Sequence, residues 1–193
     1  MLLLIAGLVL FLGIHSVQIV APGLRTAAVQ RLGLLPWKGL YTLIAVAGFV
    51  LICVGYGHAR IESPVWLWQP PKGLRHLSLL LMLPVFVLFL ATYLPGRIQR
   101  AARHPTLAAT KLWALAHLLA NGGLHDLLLF GGFLAWAVLD RISAKRRTVV
   151  VPPPGAPAGR WNDLIAVLGG LALYLLFVMG LHRWLIGVSP IAG

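Results

Sequence analysis

The sequence predicts an all-α integral membrane protein with about six transmembrane helices, and three observations carry that prediction. The chain of 193 residues is 60% hydrophobic and only 10% charged, whereas a soluble domain carries about a quarter charged residues. Its apolar residues fall in long runs, and a run of roughly 20 crosses the hydrocarbon of a bilayer. Its 16 Lys and Arg, against 4 Asp and Glu, lie in the short segments between those runs rather than in one dense patch. The distribution excludes a nucleic-acid-binding domain, and the composition excludes a disordered chain and an ordinary cytosolic enzyme. Cys53 is the single cysteine, so no intrachain disulfide and no multi-cysteine metal site can form. Glu62, Asp126, Asp140 and Asp163 all lie near the ends of apolar runs. That placement argues against a mid-membrane carboxylate relay, a carboxylate-bridged di-metal site and a two-carboxylate hydrolase.

Residues 1–21 form the first run. They lack the basic leader and small-residue cleavage site of a removed signal peptide, so they are expected to remain as a span. A short amphipathic segment follows, ending at Gly33 to Lys38, and is expected on the cytoplasmic surface. The second span covers about 39–57 and the third about 75–95, with Pro84 inside the third, where a kink or a freed carbonyl is expected. Two shorter runs, 106–120 and 124–139, are joined by Asn121-Gly122-Gly123. They predict a helical hairpin with limbs of about 22–24 Å and a turn that uses positive φ. Residues 140–160, from Arg141 through Val151-Pro152-Pro153-Pro154-Gly155-Ala156-Pro157, read as the main linker, extended and semi-rigid in its proline run. The last helix is expected from Asn162-Asp163, a suitable N-cap, to about Ile186. The chain therefore reads as one membrane domain, 1–193, with a core 1–147, a proline-rich cytoplasmic linker 148–160 and a last transmembrane helix 161–187.

Six spans place Arg60, Lys72, Arg75 and Arg183 on one side and the other twelve Lys and Arg on the opposite side. The positive-inside rule puts the twelve in the cytoplasm and both termini outside. Trp37, Trp161, Trp66, Trp68 and Trp184 then fall near the two interfaces, as aromatic belts do.

Seven histidines are the main carriers of chemistry. His58, His76, His125 and His182 lie near the outer ends of helices, where the ring sits among headgroups and the polar tip in water. Clustered, they could also hold an adventitious metal, although no His-Glu-x-x-His or Cys-x-x-Cys spacing is present. His15 and His117 differ, because each lies well inside its own run, about 9 Å and about 16 Å from the cytoplasmic helix ends. With no acid nearby in sequence, both are expected to be neutral, the state that ligates a metal or haem iron. Hydrogen bonding to a neighbouring helix or a buried water is the alternative reading. Phe11 precedes His15 by one turn, and Trp113 and Asn121 flank His117 by one turn, so each shares a face with its histidine. Such a face suits a flat apolar cofactor and equally suits ordinary helix packing. Arg103-His104-Pro105 opens the hairpin, where a helix N-terminus can hold an anion or carboxylate, or where basic residues simply mark the cytoplasmic end. Cys53 reads as a small packing residue, and Gly55-Tyr56-Gly57 and Gly131-Gly132 suit close helix contact.

Longer blocks carry a family resemblance. Leu10-Phe11-Leu12-Gly13-Ile14-His15-Ser16, Trp37-Lys38-Gly39-Leu40-Tyr41 and Leu74-Arg75-His76-Leu77 are three of them. The most specific runs from Arg103-His104-Pro105 through Lys111-Leu112-Trp113-Ala114-Leu115-Ala116-His117-Leu118-Leu119-Ala120-Asn121-Gly122 to Leu129-Phe130-Gly131 and Ala137-Val138-Leu139-Asp140-Arg141. From Met1 to about Arg147 the chain closely resembles the NnrU family of bacterial inner-membrane proteins. The resemblance implies a multi-pass protein of the inner membrane linked to denitrification and nitric oxide metabolism, in contact with a respiratory or denitrification complex. The plant 15-cis-ζ-carotene isomerase, a haem b membrane enzyme with histidine ligation, is similar to this family. That likeness implies haem b here, with His15 and His117 as metal ligands and His76 as a substitute. Phe11, Trp113, Asn121, Arg103 and His104 complete the expected cofactor-binding set. It also implies an alternative activity, cis–trans isomerisation of an apolar, carotenoid-like polyene. Ala114 stands where the isomerase has a cysteine, so cysteine-linked ligand exchange does not carry over. Arg-His-Pro at the start of a membrane hairpin is also similar to the isoprenylcysteine carboxyl methyltransferases, which implies S-adenosylmethionine-dependent methyl transfer as a further alternative. Here Thr106-Leu107 follow the motif and Asp140-Arg141 end the hairpin, both departures from that family.

Overall fold

Small residues are buried and large apolar ones face outward in this chain, the reverse of a water-soluble packing. In the computed structural model, which describes residues 1–62, 64–147 and 155–191, Ala59, Ala91, Ala114, Ala116, Ala137 and Ala166 are buried while Val9, Leu43 and Leu168 are more than half exposed. Lipid tails solvate such faces at no hydrophobic cost, leaving close packing of small residues to hold the helices together. Among the described residues, five helices are long and apolar enough to cross a bilayer.

The helices gather into two units, the first comprising Met1–Trp68 with Gly122–Arg146 and the second Gln69–Asn121 with Arg147–Gly193. In the first unit, α1 (Leu2–Val20) leads into the short exposed α2 (Pro22–Leu32), and then α3 (Leu34–Ile61). Gly33 separates α2 from α3 at φ 89°, a left-handed conformation that glycine adopts without a Cβ clash. The backbones of α1 and α3 touch through glycines. A Cβ on Gly7 would come 2.6 Å from the Ile52 nitrogen, one on Gly48 would come 2.7 Å from the Phe11 nitrogen, and one on Gly55 would overlap Leu4. Gly55 therefore behaves as expected, whereas Gly57 faces open space and Gly131 and Gly132 make only ordinary van der Waals contacts.

The chain then runs along residues 64–68 and the same unit resumes at Gly122. Val65 accepts from the Leu124 N–H at 2.8 Å, and Gly122 accepts from the Leu67 N–H at 2.8 Å. These bonds clamp the 65–68 segment onto the turn, as an isolated bridge between Trp66 and Gly123. The expected positive φ is not used there, since among the described glycines only Gly33 and Gly187 have it. Close approach explains both glycines instead: a Cβ on Gly122 would overlap the Trp68 carbonyl and one on Gly123 the His125 ring.

The helix that completes this unit, running from Leu124 to Arg146, extends seven residues beyond the expected end of the second hairpin limb. Residues 141–146 are thus helical rather than linker. Ala144, Lys145 and Arg146 are good helix formers, and basic residues favour the negative end of the helix dipole. Thr148 to Pro154, including most of the proline run, lie outside the described residues.

In the second unit, α4 (Lys72–Ala91, with Pro84 inside) leads through a turn to the six-residue α5 (Arg97–Ala102), an element not anticipated from sequence. α6 (Pro105–Ala120) follows, begun by proline at its first position as expected. At 16 residues it is shorter than the five candidate spans. The 23-residue helix of the first unit is numbered α7, and α8 (Asn162–Leu176) passes through a π-helical turn, Phe177–Leu181, into α9 (His182–Ile186). α4 packs against both α6 and α8. Gly170 lets α8 reach the α4 backbone, its Cβ position lying 2.5 Å from the Val87 nitrogen. Thr92 and Thr106 join α4 to α6 through their hydroxyls at 2.8 Å, and the Tyr174 hydroxyl donates to the Leu79 carbonyl at 3.2 Å.

Asn162 and Asp163 do not cap their own helix. The Asp163 carboxylate accepts the Arg97 and Ile98 N–H groups at 2.8 and 3.0 Å, and the Asn162 amide donates to Pro95 and Pro157 carbonyls, both at 3.0 Å. The start of α8 is thereby tied to the α4–α5 turn.

Candidate functional site

Each unit holds its own group of histidines. In the first, His15 is half-buried on α1, and its Nδ1 lies 2.6 Å from the Phe11 carbonyl oxygen. A carbonyl only accepts, so Nδ1 is the ring nitrogen that carries the donated proton, and Nε2 is the other ring nitrogen. The Phe11 ring stacks on the imidazole at 4.3 Å, with Tyr41 and Trp136 edge-on at 5.3 and 6.1 Å. The Trp136 indole N–H is buried without a hydrogen-bond partner, so this aromatic box contains an unsatisfied donor beside the histidine. Sequence spacing identified Phe11. It could not identify Tyr41 and Trp136, which come from other helices.

The first unit also contains a sealed polar cluster that the sequence reading missed. His125 and Asp126 are 1% and 2% exposed, so His125 does not occupy the interfacial position expected for it. The cause is the 65–68 segment: Trp66 and Tyr56 pack edge-on against the His125 ring at 6.1 and 5.3 Å. Asp126 accepts the Tyr56 hydroxyl at 2.6 Å and the Gly123 N–H at 2.9 Å, and its Oδ2 lies 3.5 Å from His125 Nε2. His125 Nδ1 is buried with no hydrogen-bond partner. His58, by contrast, is exposed and bonds Glu62 one turn away at 2.6 Å, in keeping with the interfacial reading.

In the second unit His117 is half-buried on α6, with Nδ1 2.8 Å from the Trp113 carbonyl oxygen and the Trp113 ring at 5.4 Å. The Asn121 amide donates to the His117 carbonyl at 2.9 Å. The two residues chosen by helical spacing thus do contact His117. His182 lies beside His117, with ring centroids 6.4 Å apart and planes 24° apart, a neighbour that the interfacial reading did not anticipate. Its Nδ1 lies 2.7 Å from the Val188 carbonyl oxygen, so here too Nδ1 carries the donated proton. The π turn immediately before His182 supplies the register change; such turns occur frequently at functional sites. His76 is exposed on the first turns of α4. Arg103 and His104 lie at the other end of α6 from His117, about 20 Å along the axis. Arg103 is held at φ 60°, a rare conformation for a residue with a side chain, and His104 is the N-cap residue. No group of three or more His, Cys, Asp or Glu side chains that could hold a metal occurs among the described residues.

Within the second unit, His117 and His182 each have Nδ1 at hydrogen-bond distance from a backbone carbonyl, the kind of anchoring that fixes the tautomer of metal-binding histidines, so their chemistry is compatible with holding a haem iron; His15 in the first unit is anchored in the same way.

The fold defines an all-helical protein with five helices able to span a bilayer and half-buried, backbone-anchored histidines among them. The chain belongs to the NnrU family: the family model described as NnrU protein matches residues 3–190. The match extends past Arg147 through the last helix, beyond the region in which the sequence resemblance was expected. Comparison with curated proteins and with solved structures gives no match.

Proposed function

We propose that this NnrU-family chain is a haem b protein of the bacterial inner membrane, linked to nitric oxide and denitrification chemistry, with His117 as one axial ligand. The observation that carries this reading is the His117–His182 pair, two neighbouring imidazoles within one unit, each with Nδ1 at hydrogen-bond distance from a backbone carbonyl. His182 is the second ligand favoured by its proximity to His117. His15 is the second ligand favoured by the family resemblance and has the same anchored tautomer. Bound haem would supply one-electron chemistry and a centre for small ligands. The residues around it have their own tasks. Trp113 and Val188 orient the rings through their carbonyls, and Asn121 holds the last turn of α6 by its bond to the His117 carbonyl.

The absorption spectrum of detergent-purified protein, expressed with ample haem supply, tests the reading. A Soret band is expected, with α and β bands that sharpen on dithionite reduction; purified protein without a Soret band overturns it. In that event, binding of S-adenosylmethionine measured by calorimetry would favour the methyltransferase likeness instead.

A further inference from the structure

We propose that the cleft between the α4–α5 turn and the start of α8 binds the phosphate headgroup of an anionic glycerophospholipid. The cleft has a volume of about 830 Å³ and lies entirely within the second unit. That is within the range of roughly 300–1,000 Å³ typical of small-ligand sites. Arg97, Arg100 and Arg160 line it, against the single carboxylate of Asp163.

The charges are not balanced internally. Asp163 is occupied by the backbone N–H groups of Arg97 and Ile98. None of the three arginines forms an ion pair with a carboxylate among the described residues. The Arg160 guanidinium instead lies over the Trp161 ring, 4.9 Å from its centroid. Three planar cations around one cleft match the oxygens of a phosphate, to which guanidinium donates in a bidentate manner.

The apolar part of the lining selects a lipid over a free anion. Leu164 and Val167 follow Trp161 at three-residue steps along α8, so all three share one helix face, and all three line the cleft. Trp161 and Leu164 are 56% and 46% exposed. A tryptophan followed along one helix face by aliphatic residues is the order of groups met on passing from headgroup to acyl chain. The basic residues here belong to the side expected from a six-span reading to carry twelve of the sixteen Lys and Arg, where anionic lipids attract juxtamembrane cations.

The test uses the full-length chain in a detergent that allows native mass spectrometry, titrated with equimolar dioleoyl phosphatidylglycerol and phosphatidylcholine. Wild type is expected to retain phosphatidylglycerol preferentially. The triple variant Arg97→Gln/Arg100→Gln/Arg160→Gln should lose that preference by on the order of tenfold or more. The triple variant Arg25→Gln/Arg31→Gln/Lys38→Gln, with the same charge change on α2 and α3, should keep it. Equal loss in both variants, or no preference in wild type, overturns the proposal. Displacement of the lipid by inorganic phosphate at equal concentration also overturns it, because the site would then serve a free anion. Photo-crosslinking of a diazirine phosphatidylglycerol to the unmutated chain tests the placement independently of variant folding. Label is expected in the peptides containing 95–100 and 158–167, and label confined elsewhere contradicts the site.

Discussion

The polar centres of the two units use histidine in opposite ways. In the first unit His125 is sealed with Asp126 and Tyr56, and the carboxylate takes a hydroxyl and a backbone N–H from residues that the 65–68 segment covers. In the second, His117 and His182 are half-buried, and each directs its Nδ1–H to a backbone carbonyl. A buried carboxylate with its donors in place works as a clamp, because losing either donor strands a charge at low dielectric. An imidazole whose Nδ1 proton is fixed by a carbonyl works as a ligand, because its other nitrogen keeps a defined lone pair. The difference teaches that deep burial and an anchored tautomer are separate properties of histidine in this chain: His125 is the most buried, while His117 and His182 have the ring nitrogen fixed by a carbonyl.

The sharpest way to break this contrast is Asp126→Ala, which strands the Tyr56 hydroxyl and the Gly123 N–H. A loss of about 4 kcal/mol is expected, read as a large drop in the thermal midpoint of detergent-solubilised protein. Haem content of the fraction that stays folded should be unchanged. Gly55→Ala should cost about 2–3 kcal/mol, because its Cβ drives into the α1 backbone, while Gly57→Ala, facing open space, should cost no stability through contact. The same melting assay separates the two glycines, and equal effects would mean that the α1–α3 approach is misassigned. Tyr56→Phe removes one bond to the buried carboxylate and should cost about 2 kcal/mol, again without spectral change. His58→Ala, which breaks only an exposed pair with Glu62, should cost at most about 0.5 kcal/mol.

Much of the helical framework was legible in the sequence because it depends on local signals. The apolar runs, the proline that begins α6 and the asparagine that begins α8 all fell where expected. So did the Phe11, Trp113 and Asn121 neighbours, because one helical turn fixes those contacts. The failures have tertiary causes. His125 reads as interfacial from its place at the end of a run, yet a segment some sixty residues earlier covers it. The His117–His182 pairing was not legible, because it joins distant positions and a π turn before His182 alters the helical register that spacing assumes. Gly122 and Gly123 suggest a positive-φ turn, whereas their missing side chains make room for Trp68 and His125. Asp163 resembles a cap, but it accepts hydrogen bonds from a different helix. His15 falls in the first unit and His117 in the second, a division that spacing along the chain does not report.

The central claim, that His117 is a haem ligand, is tested most directly by the reduced-minus-oxidised absorption spectrum of purified wild type and of His117→Ala, His182→Ala and His15→Ala. His117→Ala should lose the low-spin α band while the protein stays folded, and added imidazole should partly restore it. Whichever of His182→Ala and His15→Ala behaves alike identifies the second ligand, and His125→Ala should leave the spectrum of folded protein unchanged. A His117→Ala protein that binds haem with an unaltered low-spin spectrum contradicts the account.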